Sequence, residues 1–502
     1  MNLAVAFAES AEKNSQRPAI FWGEDEIRYN QLFAETLWVA QQLTARFGVK
    51  PGDRVALWLK NCPQFVPAYF AILHVGAVIV PVNNFLKAEE VGFILADAEV
   101  DVVLTDATMA EQLPQLSAAR PQLKFLQIEE LANRPKEAPN ASVPISQAKQ
   151  SDLAVLIYTS GTTGRPKGAM LSHGNLLHNV ASCQKVLAAV GDDRIVVLLP
   201  MFHSFMMTVG MLLPMLVGGS MVVIKSLHPA KNVVEEIYRH HATILPAVPQ
   251  FFRSFTHGTI PPNFPLRLCI SGGAPLPAEI LREFNEKFPI PLLEGYGLSE
   301  ASPVVTFNPL NKQKGGSIGL PVFDVEVSIQ DDNGKHLAAG ETGEVCVRGG
   351  NVMLGYWKQP EESAKSFRDG WLLTGDVGHF DADSYFYITD RKKDMLLVNG
   401  INVYPREIEE VIYRFPSIKE ASVIGVPDLR RGEQAVAFVS AKEGMAIDEK
   451  GLQQFIREKL ADYKVPRKII VLPILPRNST GKILKTALRE MASKNGNVET
   501  PG

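Results

Sequence analysis

At 502 residues the chain is too long for one ordinary hydrophobic core, so two or more domains are expected. Hydrophobic residues at 46% and charged residues at 21% are those of a soluble globular protein, and a net charge of −3 excludes the basic field of a nucleic-acid binder. Four isolated cysteines, Cys62, Cys183, Cys269 and Cys346, with no CxxC or Cys/His spacing, argue against zinc and against a disulfide framework, so a reducing, cytoplasmic compartment fits best.

The first residues, "MNLAVAFAESAEKNSQ", lack a basic leader and make a poor signal peptide. The last, "VETPG", are not a peroxisomal address. Phe33, Leu37, Ala40, Leu43 and Phe47 recur at spacings of four and three, which predicts one helical face. "DRVALWL", "EVDVVLTD", "LAVLIYTS" and "LRLCISGG" read as short strands ending in small or polar residues. Strands alternating with helices predict a large α/β domain with mostly parallel sheets, whose ligands gather at the carboxyl ends of strands. Residues 131–151 read as a linker.

After the strand "LAVLIYTS" comes "GTTGRPKG". Gly161, Gly164 and Gly168 permit turns with positive φ, so that N–H groups converge on an anion. Thr159, Ser160, Thr162 and Thr163 add hydroxyl donors, and Lys167 adds a point charge. The order departs from the GxxxxGK[ST] loop of NTPases, because Lys167 stands away from Gly164 and no hydroxyl residue follows it. The loop therefore reads as phosphate-binding without being a P-loop.

From Ile195 to Ile224 no Asp, Glu, Lys or Arg occurs. About twenty apolar residues can span a bilayer. Here Pro200, His203, Pro214 and Gly218-Gly219 cut the run into units, predicting two buried strands with a buried helix between them. Further on, "DVEVSIQ" and "GEVCVRG" alternate strictly around a tight turn, predicting a small antiparallel section. After a charged stretch at 390–394, and from Glu407 onward, Ile408, Val411, Ile412 and Phe415 form a helical face. Two strands, "ASVIGV" and "AVAFVSA", and a helix around Leu452 to Leu460 complete a small α+β unit.

"YTSGTTGRPKGAMLSH" closely resembles the signature of the adenylate-forming superfamily of acyl-CoA synthetases, peptide-synthetase adenylation domains and luciferases. "LPMFHSF", "SGGAPLP", "EGYGLSE", "GEVCVRG", "GYW", "LTGD", "DRKKDMLLVNGINVYPREIE" and "PRNSTGKILK" follow in that family's order and spacing, covering most of the chain from residue 27. "VNGINVYPREIEE" is similar to bacterial long-chain-fatty-acid–CoA ligases.

The resemblance implies a large multi-layer N-terminal domain over 1–392 and a small mobile α+β domain over 393–502. It also implies a two-step reaction: a carboxylic acid and ATP give acyl-AMP and pyrophosphate, and coenzyme A then takes the acyl group. In that scheme Thr159 to Gly164 and Lys167 hold the β and γ phosphates, Ser299 contacts the α-phosphate and Glu300 holds magnesium. Asp376 accepts from the ribose hydroxyls and Arg391 assists. Gly272, Gly273, Ala274, Gly295, Tyr296 and Gly297 line the adenine pocket, with Tyr296 stacking on the ring. Lys482 is the adenylation lysine, bridging the carboxylate and the α-phosphate.

A lone histidine in an apolar run is ordinarily a satisfied core residue. The resemblance instead makes His203 the residue that closes the carboxylate pocket, with Phe205, Val209, Gly273 and Gly297 lining the acyl site. Lys393 takes the hinge position, and the segment around Gly400 belongs to the coenzyme A channel. The partners implied are small molecules: ATP with magnesium, coenzyme A, and a medium- or long-chain fatty acid. An aryl acid is the nearest competitor, and an acyl-AMP ligase serving a carrier protein stands further off. A homodimer and peripheral membrane contact are left open by the sequence.

Overall fold

The computed structural model describes residues 1–131, 143–160, 166–227, 229, 231–258, 261, 263–428, 430–478 and 481–494. Among the described residues, two large sheets dominate the chain up to residue 321. The six-stranded sheet runs in the order Lys124–Gln127, Val102–Thr105, Arg54–Trp58, Val78–Pro81, Leu153–Ser160 and Pro166–Ser172. Its first five strands are parallel, and Pro166–Ser172 folds back antiparallel on Leu153–Ser160. The nine-stranded sheet has a parallel centre, Pro18–Trp22, Ser220–Val223, Arg194–Val197, Ile244–Ala247, Leu268–Ser271 and Leu292–Gly297, with antiparallel strands at both edges. Parallel neighbours need long crossovers, which the intervening helices supply.

Successive strand residues point to opposite faces, and both faces are apolar because helices cover both. Val55 and Leu57 join a core shared with Ile195 and Val197, whereas Ala56 and Trp58 face a second core and Val196 and Leu198 a third. The helices Leu3–Lys13, Tyr29–Ala45, Phe65–His74 and His173–Leu187 contribute to the shared core and lie between the two sheets. The architecture is thus the multi-layer α/β arrangement expected.

Two local expectations change. On the helix Tyr29–Ala45 the buried face is Tyr29, Leu32, Thr36, Val39, Ala40 and Leu43, while Leu37 is exposed. Leucine, tryptophan and valine stand side by side at 37–39, and 3.6-residue spacing accepts either of two adjacent stripes. Gly168, read as a turn residue, lies within the strand Pro166–Ser172 with its Cα against Tyr158 and Trp357. Its role there is close approach rather than positive φ.

The uncharged run resolves into the strand Arg194–Val197, a π-helical turn Met206–Leu212, the helix Leu213–Val217 and the strand Ser220–Val223. The two strands are parallel neighbours, so the run is sheet and crossover. Among the described residues no helix is long and apolar enough to cross a membrane.

A separate antiparallel sheet contains Val325–Gln330, Gly343–Gly349, Phe367–Arg368, Trp371–Phe380 and Phe386–Arg391. A further, mixed sheet holds Leu396–Val398, Ile401–Val403, Ile418–Asp428 and Gly432–Ala441 antiparallel, with Lys468–Val471 parallel to Gly432–Ala441, packed with the helices Pro405–Tyr413 and Glu449–Arg457 around a core of its own.

Candidate active site

One cleft of about 1550 Å³ collects residues from the ends of both large sheets, the antiparallel sheet and the C-terminal segment. One side of it starts where Leu153–Ser160 and Pro166–Ser172 form a hairpin, with Thr159 opposite Lys167 in register. Gly161, Thr162, Thr163 and Gly164 lie outside the described residues. Lys167 is buried, its ammonium ion-paired with Glu362 and 5.6 Å from the centre of the Tyr356 ring. That pairing holds the Glu362 carboxyl at about 2, with Lys365 as the further cause.

The strand Leu292–Gly297 delivers Gly295, Tyr296 and Gly297 to the cleft, and the short turn Ser299–Ala301 delivers Ser299 and Glu300. A Cβ on Gly297 would stand 2.0 Å from the Pro303 carbonyl oxygen, so only glycine lets the returning strand approach here. Glu300 Oε1 accepts from the Tyr356 hydroxyl at 2.9 Å and from Thr159 Oγ1 at 3.3 Å. Ser299 Oγ lies 3.0 Å from Ser204 Oγ. Gly272 and Gly273, the latter at φ +77°, also line the cleft, with the Phe205 ring packed against Gly272.

Asp376 and Arg391 are paired in register on neighbouring strands of the antiparallel sheet. The Tyr296 hydroxyl donates to Asp376 Oδ2 at 2.6 Å, and Arg391 Nε lies 3.3 Å from Asp376 Oδ1. Burial and the adjacent Asp376 carboxylate raise the Tyr296 phenol well above its ordinary value, so it stays a donor.

Lys482 enters from the C-terminal segment. Its turn is closed by Asn478, whose N–H donates to the Lys482 carbonyl at 2.9 Å and whose side chain accepts from the Lys482 N–H at 2.9 Å. Arg477 donates to the Gly481 carbonyl and, at 2.5 Å, to Glu420. Burial, reinforced by repulsion from Arg391, lowers the Lys482 ammonium to about 8. His203 lies on the same cleft; burial first and Lys482 second lower its imidazole to about 4, so it is neutral at physiological pH.

The fold therefore brings together Thr159, Lys167, His203, Phe205, Gly272, Gly273, Gly295, Tyr296, Gly297, Ser299, Glu300, Asp376, Arg391, Lys393 and Lys482. Val209 is not on the cleft; it is fully buried in the core. In an α-helix it would share a face with Phe205, but this turn is π-helical and its i→i+5 bonds change which positions align. Ala274 also stays off the lining, because the chain turns away after Gly273. Gly400 sits exposed at φ +77° between Leu396–Val398 and Ile401–Val403, outside the lining. Tyr356, Glu362, Arg477 and Glu420 were not anticipated. Tyr356 stood inside the quoted "GYW" and Arg477 inside the quoted "PRNSTGKILK", whereas Glu362 and Glu420 carry no local signal.

The family model of the AMP-binding enzyme matches residues 7–357, and that of the AMP-binding enzyme C-terminal domain matches 407–482. The chain is 34% identical to a long-chain-fatty-acid–CoA ligase of Bacillus subtilis, over 99% of this chain and 96% of the relative. It is 36% identical to a feruloyl-CoA synthase of an Amycolatopsis species, over 95% of this chain and 96% of the relative. ATP-bound MatB from Rhodopseudomonas palustris superposes with a TM-score of 0.90 at 33% identity, covering 99% of this chain and 100% of that one. The apo form of the same protein gives 0.79 at the same identity and coverage, so the present arrangement is nearer the ATP-bound form. With two family models in sequence and relatives aligned almost end to end, this chain belongs to the AMP-binding enzyme family, the adenylate-forming ligases.

Proposed function

We propose that this chain, an AMP-forming acyl-CoA ligase, activates a medium- or long-chain fatty acid with ATP and passes the acyl group to coenzyme A. The observation that carries the reading is the meeting of Lys482 with Asp376, Ser299, Glu300 and an apolar wall in one cleft. In the first step an acid oxygen bonds to the α-phosphorus and the bond to pyrophosphate breaks. In the second the thiol sulfur of coenzyme A bonds to the acyl carbon, AMP leaves and the thiol proton is lost.

Both partners of the first step are anions, so the protein must supply positive charge where they meet. Lys482 bridges them, Arg391 and Asp376 hold the ribose end, and Lys167 exchanges Glu362 for the departing phosphates. Glu300, one hard carboxylate oriented by Tyr356 and Thr159, is the residue that would hold a magnesium ion. Magnesium, when bound, offsets phosphate charge. Between the steps, residues 393–502 swing about Lys393 relative to residues 1–392, which withdraws Lys482 and brings the Gly400 hairpin toward the coenzyme A path.

Because Lys482 acts as a cation and sits near 8 in the free enzyme, kcat/KM for ATP is expected to fall as pH rises through about 8. A flat profile to pH 10, measured by pyrophosphate release, contradicts this role.

The acyl side of the cleft draws on Phe205, Ile270, Leu298, Pro303, Val304 and Phe307. In the segments 270–273 and 297–307 the charged lining residue is Glu300, which suits an apolar chain and not a second carboxylate. Each methylene buried is worth about 0.8 kcal/mol, about fourfold in kcat/KM. A panel of acetate, octanoate, palmitate, malonate and ferulate should therefore give the highest kcat/KM with octanoate or palmitate, with thioester formed only when coenzyme A is present. The 36% identity to feruloyl-CoA synthase supports an aryl acid as the second reading, and ferulate exceeding both fatty acids decides for it.

A further inference from the structure

The helix Pro249–His257 follows directly on the strand Ile244–Ala247 and carries Arg253, which is only 4% exposed. Its guanidinium crosses to the C-terminal segment. Nη2 donates to the Ile418 carbonyl at 3.0 Å, and Nη1 donates to the carbonyl of Lys419. Consecutive carbonyls of a regular strand point to opposite sides, so one side chain cannot ordinarily take both. Here the pairing of Ile418–Asp428 with Gly432–Ala441 shifts register between Ile418 and Glu420, the kind of irregularity that re-aims backbone groups. The planar fork of arginine matches two neighbouring acceptors in a way that lysine cannot.

This contact leads toward Lys482. Glu420, next after Lys419, accepts from Arg477, and Arg477 holds the Gly481 carbonyl. On the N-terminal side, Val248 immediately precedes the Arg253 helix and lies beside Gly481. A second bridge stands on the next helix, Ala278–Lys287, where Glu283 lies 3.6 Å from Lys442.

We propose that Arg253 is a positioning residue for acyl-adenylate formation. It clips the C-terminal unit in the arrangement that places Lys482 in the cleft, and it releases before the acyl group is passed to coenzyme A. The inference rests on the two-step reading above. The clip is reversible because a guanidinium that loses two carbonyls by rotation of the C-terminal unit regains water in their place. Its loss should lower the share of molecules poised for the first step, which reads out in kcat for that step.

The test compares two rates in the full-length protein: pyrophosphate release with octanoate and ATP, and thioester formation from preformed octanoyl-AMP with coenzyme A. Arg253→Ala is expected to lose about 10- to 100-fold in the first rate, the size of a single charge-assisted hydrogen bond, because water replaces part of what the guanidinium supplies. The second rate should stay unchanged, and Arg253→Lys should recover part of the loss. Should Arg253→Ala not fold, Glu283→Lys sets like charges across the same interface and should cost the first rate several-fold and the second nothing. Equal losses in both rates, or no loss in the first, overturn the inference. Lys482→Ala separates the two ideas. If it loses the first rate and keeps the second, the two-step reading stands and the Arg253 result judges the clip alone. If it keeps the first rate, the reading fails and the clip falls with it.

Discussion

Lys482→Ala is expected to lower acid-dependent pyrophosphate release by about 10²–10³-fold, the usual cost of removing one preorganised group that stabilises transition-state charge. Thioester formation from preformed acyl-AMP should change little. The reason lies in the electrostatics of the cleft. Lys482 is half-buried and partly desolvated, and it is repelled by Arg391 and Lys393 with Asp376 only partly compensating, so its ammonium is held at about 8. A cation cluster that repels itself is relieved when a polyanion enters, and that relief grows as acid and α-phosphate close on each other. Alanine removes the central charge while leaving Arg391 and Asp376 in place, so binding should survive better than turnover. A variant with wild-type pyrophosphate release would remove Lys482 from the chemistry.

Glu300→Gln is expected to lower kcat/KM by about 10²-fold and to raise the magnesium concentration that gives half-maximal rate. Glutamine keeps the side-chain shape and an oxygen that accepts from Tyr356 and Thr159, so the local hydrogen bonds persist. What it loses is the negative charge. Both donors reach Oε1, which orients the carboxylate without neutralising it. A magnesium titration superimposable on wild type would show that the ion is held elsewhere.

Much of the fold was legible in the chain because its signals are local. Strand runs ending in glycine and hydroxyl residues, alternation with helical periodicity, and the switch to strict two-residue alternation near residue 316 each depend on neighbouring residues. They map onto the parallel sheets, the crossovers and the antiparallel sheet. Misreadings arose where local pattern was ambiguous. A 3.6-residue period could not choose between adjacent stripes on the helix Tyr29–Ala45, and it could not foresee a π-helical turn in which Val209 goes to the core and not to the cleft.

The site divides in the same way. By itself the sequence determined which residue types stand at the ends of which strands: Thr159 and Lys167 at one hairpin, Ser299 and Glu300 after another strand, Asp376 and Lys482 in their motifs. Only the tertiary structure decided who meets whom. Lys167 pairs with Glu362 across 195 residues, Tyr296 with Asp376 across 80, and Arg253 with Ile418 across 165. Such pairs leave no trace in local spacing. Each depends on where two separately folded segments come to rest, and that is set by burial of apolar faces over the whole molecule rather than by the charged residues that the packing brings together.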